Sequence, residues 1–365
     1  MSTLDRYIAR TFLSSYLILL LLGVGVYIFS DVVVNLDEYT GEPGLTLAGA
    51  LAKMLDYHGH RLPLYFHQLG GVMMAIAGAF TFAMMLRNNE LAPLVAAGVP
   101  LQRLAVPVLV CSVGIVGVWL VNSEAVMPHY AAQIARRYGD LDETGAAAVR
   151  CVRDDYNAIL IAEELHARQG WLKGVYIIEP GPNRVPQYLI RADAARYDPA
   201  RRTWMLERGG RLVMAGAFEP GQLGRAIRWE PLDEFRFALT PEQIVLRQST
   251  QWAELMSIRE MNQLLSAAHA LPNLPAVERS RDIRFYQPLI MWILVLLAVP
   301  FFLTRQPENV LAAGGKALLL AGACYGVTFV AHSSATDAAY ARLVAATPVL
   351  IFGPIAILNA ANVKT

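Results

Sequence analysis

Four side chains near residue 60 invite the first chemical reading. Asp56, His58, His60 and His67 all carry atoms that can ligate a metal. A His-x-His pair puts its rings on opposite sides of a helix and on one face of a strand, so a metal cluster would need a strand here. The charge-free run that follows, Leu62–Leu86, predicts a helix, and histidines at the interfacial start of a membrane span are the commoner explanation. His332 lies within another apolar run, where ionisable groups usually face a cavity or a partner. Ala313-Gly-Gly-Lys-Ala comes nearest to a phosphate-binding loop but lacks the leading glycine and the Ser or Thr that would hold magnesium. Neither a Gly-x-Ser-x-Gly elbow nor a His-Glu-x-x-His pair occurs. The expectation is a chain that binds no cofactor or metal and is not itself an enzyme. Cys111 and Cys324 sit in apolar runs and only Cys151 lies in the polar middle, so no disulfide can form there.

The elements that must position these residues dominate the sequence. Thr11–Ser30, Leu62–Leu86, Leu104–Ser123, Phe285–Thr304, Ala317–Thr336 and Leu343–Val363 contain no Asp, Glu, Lys or Arg. Each is about twenty residues long, the length that crosses a bilayer as a helix. The chain is 55% hydrophobic and 17% charged with mean hydropathy +0.37, against roughly a quarter charged in soluble domains. A net charge of +1 gives no argument for nucleic acid. The first run is too long for a signal-peptide core and no small-x-small site follows it, so it is expected to be retained. Gly70, Gly71, Gly78, Gly114 and Gly117 are small residues at roughly helical spacing, which close helix packing explains.

Three divisions follow: 1–123 with spans one to three, 124–284 as a polar insert, and 285–365 with spans four to six. The insert reads as β-rich, with short apolar or alternating runs at Ala158–Ile161, Val175–Ile178, Gln187–Ile190, Thr203–Leu206, Arg211–Met214 and Phe235–Phe237. Turn chemistry separates them at Glu179-Pro-Gly-Pro, Tyr197-Asp-Pro, Arg208-Gly-Gly and Glu219-Pro-Gly. Short strands at this spacing suggest an antiparallel sandwich or jelly roll. Helices are expected at Glu124–Tyr138 and Trp252–Leu265, the second with Ser257 and Glu260 as a capping box. The fold class expected is an α-helical polytopic membrane protein with six transmembrane helices and an inserted β-jellyroll-like domain. With a cytoplasmic N-terminus, cytoplasmic segments hold Arg6, Arg10, Arg87, Arg103, Arg305, Lys316 and Lys364, and the short outer ones Lys53, Arg61 and Arg342. That bias places the insert outside the cytoplasm. The connector Arg87–Arg103 is by spacing either a solvated link or an amphipathic helical turn at the membrane surface.

This plan of three spans, a β-rich insert and three more spans resembles that of the LptF/LptG permeases of the lipopolysaccharide-export transporter, as do the motifs Leu4–Phe12, Asn89–Pro100 and Arg284–Pro288. Leu4-Asp-Arg-Tyr-Ile-Ala-Arg-Thr-Phe looks like the family's start, on the LptG side. Asn89-Glu-Leu-Ala-Pro-Leu-Val-Ala-Ala-Gly-Val-Pro is similar to its signature between spans two and three. Asn122-Ser-Glu-Ala-Val-Met-Pro, Ala192-Asp-Ala-Ala-Arg-Tyr-Asp-Pro, Thr203-Trp-Met-Leu-Glu and Arg284-Phe-Tyr-Gln-Pro also match. The outer end of span one reads Asp31, Asp37 and Glu38, with no Lys or Arg before Lys53, where LptG-type members carry basic residues.

The resemblance implies a multi-pass protein of the bacterial inner membrane that exports lipopolysaccharide or a related glycolipid. It implies that Arg87, Glu90, Leu91, Leu94, Gly98 and Arg103 belong to a coupling helix that docks on a cytoplasmic ABC ATPase dimer, which would hold the ATP and magnesium. Glu90 would meet a basic residue of that ATPase, and Gly98 would end the helix. A second permease, LptF-like or another copy, would pair through spans one and five, with a single-span LptC-like protein and an LptA-like bridge beyond. Substrate-path candidates are Val26, Phe29 and Val33 on span one and Tyr325, Phe329 and His332 on span five. Two rivals are an ion-coupled secondary transporter, which the absence of acidic residues in the spans opposes, and a membrane-anchored scaffold for the β-domain.

Overall fold

The computed structural model describes residues 3–40, 46–135, 146–154, 156–167, 169–180, 186–213, 228–249, 252–266, 274–303, 310–333 and 338–363. The expected turn at Glu219-Pro-Gly and the basic residues Arg305 and Lys364 lie outside them. In chain order, α1 (Thr3–Val34) leads to α2 (Leu36–Thr40), α3 (Leu47–Arg87), α4 (Leu91–Ala96) and α5 (Leu101–Val121). A π-helical turn at Asn122–Val126, then α6 (Met127–His129) and α7 (Ala131–Ile134), carry the chain out of α5. After the strands come α8 (Pro241–Gln248), α9 (Trp252–Leu255), α10 (Ile258–Ser266) and α11 (Leu274–Ala298). A 3-10 turn at Val299–Phe302 precedes α12 (Val310–Ser333) and α13 (Ala338–Ala361). Six of these helices are long and apolar enough to cross a membrane: α1, α3, α5 with its extension to His129, α11, α12 and α13. Span two differs most from its sequence-based bounds. Its helix begins at Leu47, not Leu62, and runs 41 residues. Lys53, Asp56, His58 and His60 limit what lipid tolerates, not what a helix tolerates, so the helix outruns the hydrocarbon.

The chain divides into two compact units. The first comprises Met1–Val34, Arg61–Pro128 and Pro275–Thr365. Its core gathers Ile8, Phe12, Met74, Phe82, Leu104, Trp119, Leu294 and Val295. Glycine lets α3 lie close to its neighbours: a Cβ on Gly71 would stand 2.7 Å from Met291 Cγ, and one on Gly78 3.0 Å from Val299 Cγ2. Gly114 and Gly117 differ from expectation, since a Cβ at either would meet nothing within 4 Å. They are exposed on α5, and packing within this chain does not explain them.

Polar side chains fasten one end of spans two to four. Trp119 Nε1 donates to the His67 carbonyl at 2.9 Å, and the two rings stack at 4.6 Å. Ser123 Oγ donates to the Trp119 carbonyl at 2.9 Å, so it accepts the Nδ1 hydrogen of His67, also at 2.9 Å. Asn122 Nδ2 donates to the Pro63 carbonyl at 2.9 Å. Arg284 donates to the Ser123 carbonyl at 3.3 Å and pairs with Glu124 at 3.2 Å. The drawn metal cluster dissolves into separate bonds: His67 goes to Ser123, His58 to Tyr39 at 3.2 Å, and His60 to the Asp56 carbonyl at 2.7 Å.

The second unit comprises Asn35–His60 and His129–Leu274. Its strands are β1 (Ala146–Arg153), β2 (Ile159–His166), β3 (Trp171–Pro180), β4 (Pro186–Asp198), β5 (Thr203–Glu207), β6 (Gly210–Val213), β7 (Arg228–Pro231) and β8 (Glu234–Phe235). They form one antiparallel sheet in the order β1-β2-β3-β4-β5-β8, with β6 joining β4 to β7. The long β4 therefore pairs with β6 at one end and β5 at the other. One sheet face buries Leu160, Ile177 and Ile190 with Trp204, Phe237 and Ile244 of α8. Asp154, 1% exposed, accepts backbone hydrogens from Tyr156, Ala158 and Ala238 and so closes the β1–β2 turn. Ser257 and Glu260 form the expected capping box at α10, with Ser257 N donating to Glu260 at 2.8 Å and Glu260 N to Ser257 Oγ at 3.2 Å. Thr240 and Gln243 make another at α8.

Candidate coupling segment and lipid-facing surfaces

Residues 87–103 fold as two helix ends and a short helix between them. α3 stops because Asn89 takes φ 57°, and two bonds close the turn: Asn89 N to the Leu86 carbonyl at 3.1 Å and Glu90 N to the Met85 carbonyl at 2.9 Å. α4 stops in the same way one helix later. Gly98 takes φ 79°, Gly98 N donates to the Val95 carbonyl at 3.0 Å and Val99 N to the Leu94 carbonyl at 3.0 Å. Both are Schellman turns, which need a left-handed residue that Gly and Asn supply at least cost. Pro100 then opens α5.

This geometry gives α4 two faces. Leu91 is 3% exposed and Leu94 packs partly against the helical core, while Ala92, Pro93, Ala96 and Ala97 are exposed. Arg87 and Arg103 are exposed on the flanking helices. Glu90 precedes α4 without capping it, because its carboxylate is used elsewhere. The Tyr7 hydroxyl donates to Glu90 Oε2 at 3.0 Å, and Asn88 Nδ2 to Oε1 at 3.3 Å. Of the six residues expected to couple, Arg87, Gly98 and Arg103 are exposed, Glu90 and Leu94 are half-buried and Leu91 is buried, and Tyr7, which sequence spacing could not connect to them, touches the Glu90 carboxylate.

The substrate-path candidates share one face of each of two helices. Val26, Phe29 and Val33 fall at i, i+3 and i+7 of α1, and Tyr325, Phe329 and His332 at i, i+4 and i+7 of α12. The first five are exposed. His332 is half-buried, and its Nε2 is enclosed with no hydrogen-bond partner among the described residues. Coverage of the spans is uneven: in the most apolar 18-residue window, none of α1 and 17% of α12 is buried, against 50% of α3 and 56% of α11.

A surface missed in the sequence lies on the second face of the sheet. Ile159 stands opposite Ile178, Ile178 opposite Leu189, Leu189 opposite Leu212, and Leu212 opposite Trp229. Paired residues share a face, so these five side chains form one apolar row across β2, β3, β4, β6 and β7. The first four are half-buried and Trp229 is 53% exposed, lying over Gly210, where any Cβ would collide with its ring. Consecutive apolar pairs such as Ile177-Ile178 and Leu189-Ile190 were the available signal: a strand apolar at adjacent positions is apolar on both faces.

No curated protein matches the chain. The family model described as lipopolysaccharide export system permease LptF/LptG matches residues 6–360, nearly the whole length. Six apolar helices, a β-sheet inserted between the third and fourth, and that match together place the chain in the LptF/LptG family of membrane permeases.

Proposed function

We propose that this chain is one permease subunit of an ATP-driven exporter that lifts lipopolysaccharide or a related glycolipid out of the inner membrane. The observation that carries the proposal is the coverage of the spans: α1 and α12 leave nearly all of their apolar windows unburied, while α3 and α11 are packed. An amphiphile's acyl chains hold to the bilayer by about 0.8 kcal/mol per buried methylene, so extraction requires apolar shelter along the route. A second permease, LptF-like or another copy, set against α1 and α12 encloses that shelter between Val26, Phe29 and Val33 of one chain and Tyr325, Phe329 and His332 of the other. The apolar row from Ile159 to Trp229 gives acyl chains a separate shelter on the β-sheet, from which an LptC-like partner and an LptA-like bridge would take them. In this scheme the termini lie in the cytoplasm and the β-unit in the periplasm.

Force comes from outside the chain. α4 presents a flat exposed strip of Ala92, Pro93, Ala96 and Ala97 beside the Glu90 carboxylate, which suits a groove with a basic residue in a cytoplasmic ABC ATPase. ATP and magnesium bind that partner dimer, and its closure moves α4.

Affinity purification of the full chain from native membranes tests this. The expected result is co-purification of a second permease and of ATPase activity, with Glu90→Lys losing the ATPase while keeping the permease. Like charges at a docking contact cost several kcal/mol. A chain that purifies without ATPase activity, or a Glu90→Lys variant that keeps it and exports lipid normally, contradicts the proposal and favours the scaffold reading.

A further inference from the structure

We infer that Tyr7 is a positioning residue which ties the first membrane helix to the coupling segment, so that motion of α4 reaches span one through a single hydrogen bond. The inference rests on the exporter reading above and deepens it by naming a link inside the chain.

Tyr7 lies in the first turns of α1, between Arg6 and Ile8. Its hydroxyl donates to Glu90 Oε2 at 3.0 Å, across 83 positions of sequence. The other carboxylate oxygen takes Asn88 Nδ2 at 3.3 Å, so Glu90 is held from both sides and the short connector is fixed relative to α1. A carboxylate has about four lone-pair sites, so these two donors leave room for a cation from outside. Tyr7 and an ATPase residue can therefore hold Glu90 at once.

The place of this bond on α1 gives it leverage. Every buried residue of the helix, Ile8, Ala9, Phe12, Ser15 and Tyr16, lies in its first half. Farther along, its contacts are partly buried ones: Leu19 and Leu20 lie against the helical core, Gly23 lies beside Met73, and the Tyr27 and Tyr65 rings meet at 4.7 Å. Span one is thus anchored near Tyr7 and loosely held beyond it, and a displacement of α4 passed through Glu90 acts on the anchored end of the helix that carries Val26, Phe29 and Val33. Phe12 and Ile8 keep the end packed whether or not the hydroxyl is present, being fully buried. The bond therefore transmits position and contributes little to folding.

The test uses the full chain with its co-purified partners in proteoliposomes, comparing wild type, Tyr7→Phe and Glu90→Gln. Four quantities are measured: melting temperature, ATPase association, ATP turnover, and lipid released per ATP hydrolysed. Tyr7→Phe is expected to keep association and melting temperature while lipid released per ATP falls about three- to tenfold, the size of one net hydrogen bond. Glu90→Gln still accepts from Tyr7 but has lost its charge, so it is expected to weaken association while the complexes that form keep the wild-type ratio. A Tyr7→Phe protein with the wild-type ratio overturns the inference and leaves the exporter reading intact. So does one that loses association or stability, since the bond then belongs to docking or folding. If wild type captures no ATPase, the exporter reading fails and takes the link with it.

Discussion

Spans two and four differ from spans one and five in how much of their apolar surface the chain itself covers. α3 and α11 are about half buried in their apolar windows and meet at glycines that larger side chains could not occupy. α1 and α12 are equally charge-free through their apolar runs, yet α1 buries nothing in that window and α12 little. Gly315, Gly322 and Gly326 of α12 meet no atom within 4 Å of a built Cβ, unlike Gly71 and Gly78. Lipid has little preference between two apolar helix faces, so tight packing marks where the chain fits itself. Small residues without a neighbour mark where another chain can come close. The protein is half of a packing problem, solved along α3 and α11 and left open along α1 and α12.

Breaking the solved half should produce the largest effect. Gly78→Leu drives a branched side chain into Val299, Val108 and Val295 and is expected to cost about 3 kcal/mol. Gly322→Leu, with nothing nearby, should stay within about 0.5 kcal/mol of wild type. Melting of the detergent-purified proteins compares them, and equal losses would erase the distinction drawn here. Next in size is the pin at the ends of spans three and four. Glu124→Ala leaves the Arg284 guanidinium, whose side chain is 4% exposed, without its carboxylate, at a cost of about 2 kcal/mol. Urea or thermal unfolding that gives no loss would mean that the other contacts of Arg284 suffice.

The open half predicts the opposite pattern. Phe29→Ala and Phe329→Ala remove rings that are 71% and 66% exposed, so unfolding should change by less than about 0.5 kcal/mol, while lipid export falls. An unfolding loss equal to that of Gly78→Leu would show these faces to be packed within the chain. The smallest effect belongs to the β-unit surface. The Lys173 ammonium, hydrogen-bonded to Glu164 at 2.9 Å, holds that carboxyl below its ordinary value, with His166 adding to it, and the carboxylate in turn raises Lys173. A lowered acid stabilises above its unfolded pKa and loses that as pH falls through the folded value; a raised base does so on the alkaline side. Lys173→Met should therefore differ from wild type most between about pH 4.5 and pH 10.5, with the difference fading as pH falls below the first value or rises above the second, and only slightly throughout, because both groups are open to solvent. A difference persisting in acid would assign the effect to packing of the lysine stem.

Much of this organisation was legible from residue types. Six charge-free runs and strands broken by Pro and Gly turns gave the span count and the β insert, because bilayer thickness and turn chemistry are local constraints. The missed strands were β1 and β7. β1 carries register shifts around Val149 and a positive φ at Cys151, which break the alternation that marks a strand. β7, at Arg228–Pro231, is too short to show a period. The Thr240–Gln243 capping box has a local signature, T-x-x-Q followed by apolar residues. At the coupling segment, Gly98 as a helix stop was implied by the family resemblance and suits its residue type, whereas the contact of Tyr7 with Glu90 is tertiary and leaves no trace in spacing. Exposure along α1 and α12 is equally invisible, since a run of apolar residues reads the same whether a chain or lipid covers it.

The central claim is that the outer faces of α1 and α12 are completed by something other than this chain. Photo-crosslinking in native membranes from a benzophenone residue placed at Phe29 or at Phe329, with buried Met74 as the control, tests it directly. The account predicts that the products from Phe29 and Phe329 join a second permease or a glycolipid, while Met74 crosslinks only within its own chain. Crosslinks from Phe29 and Phe329 confined to their own chain would contradict it.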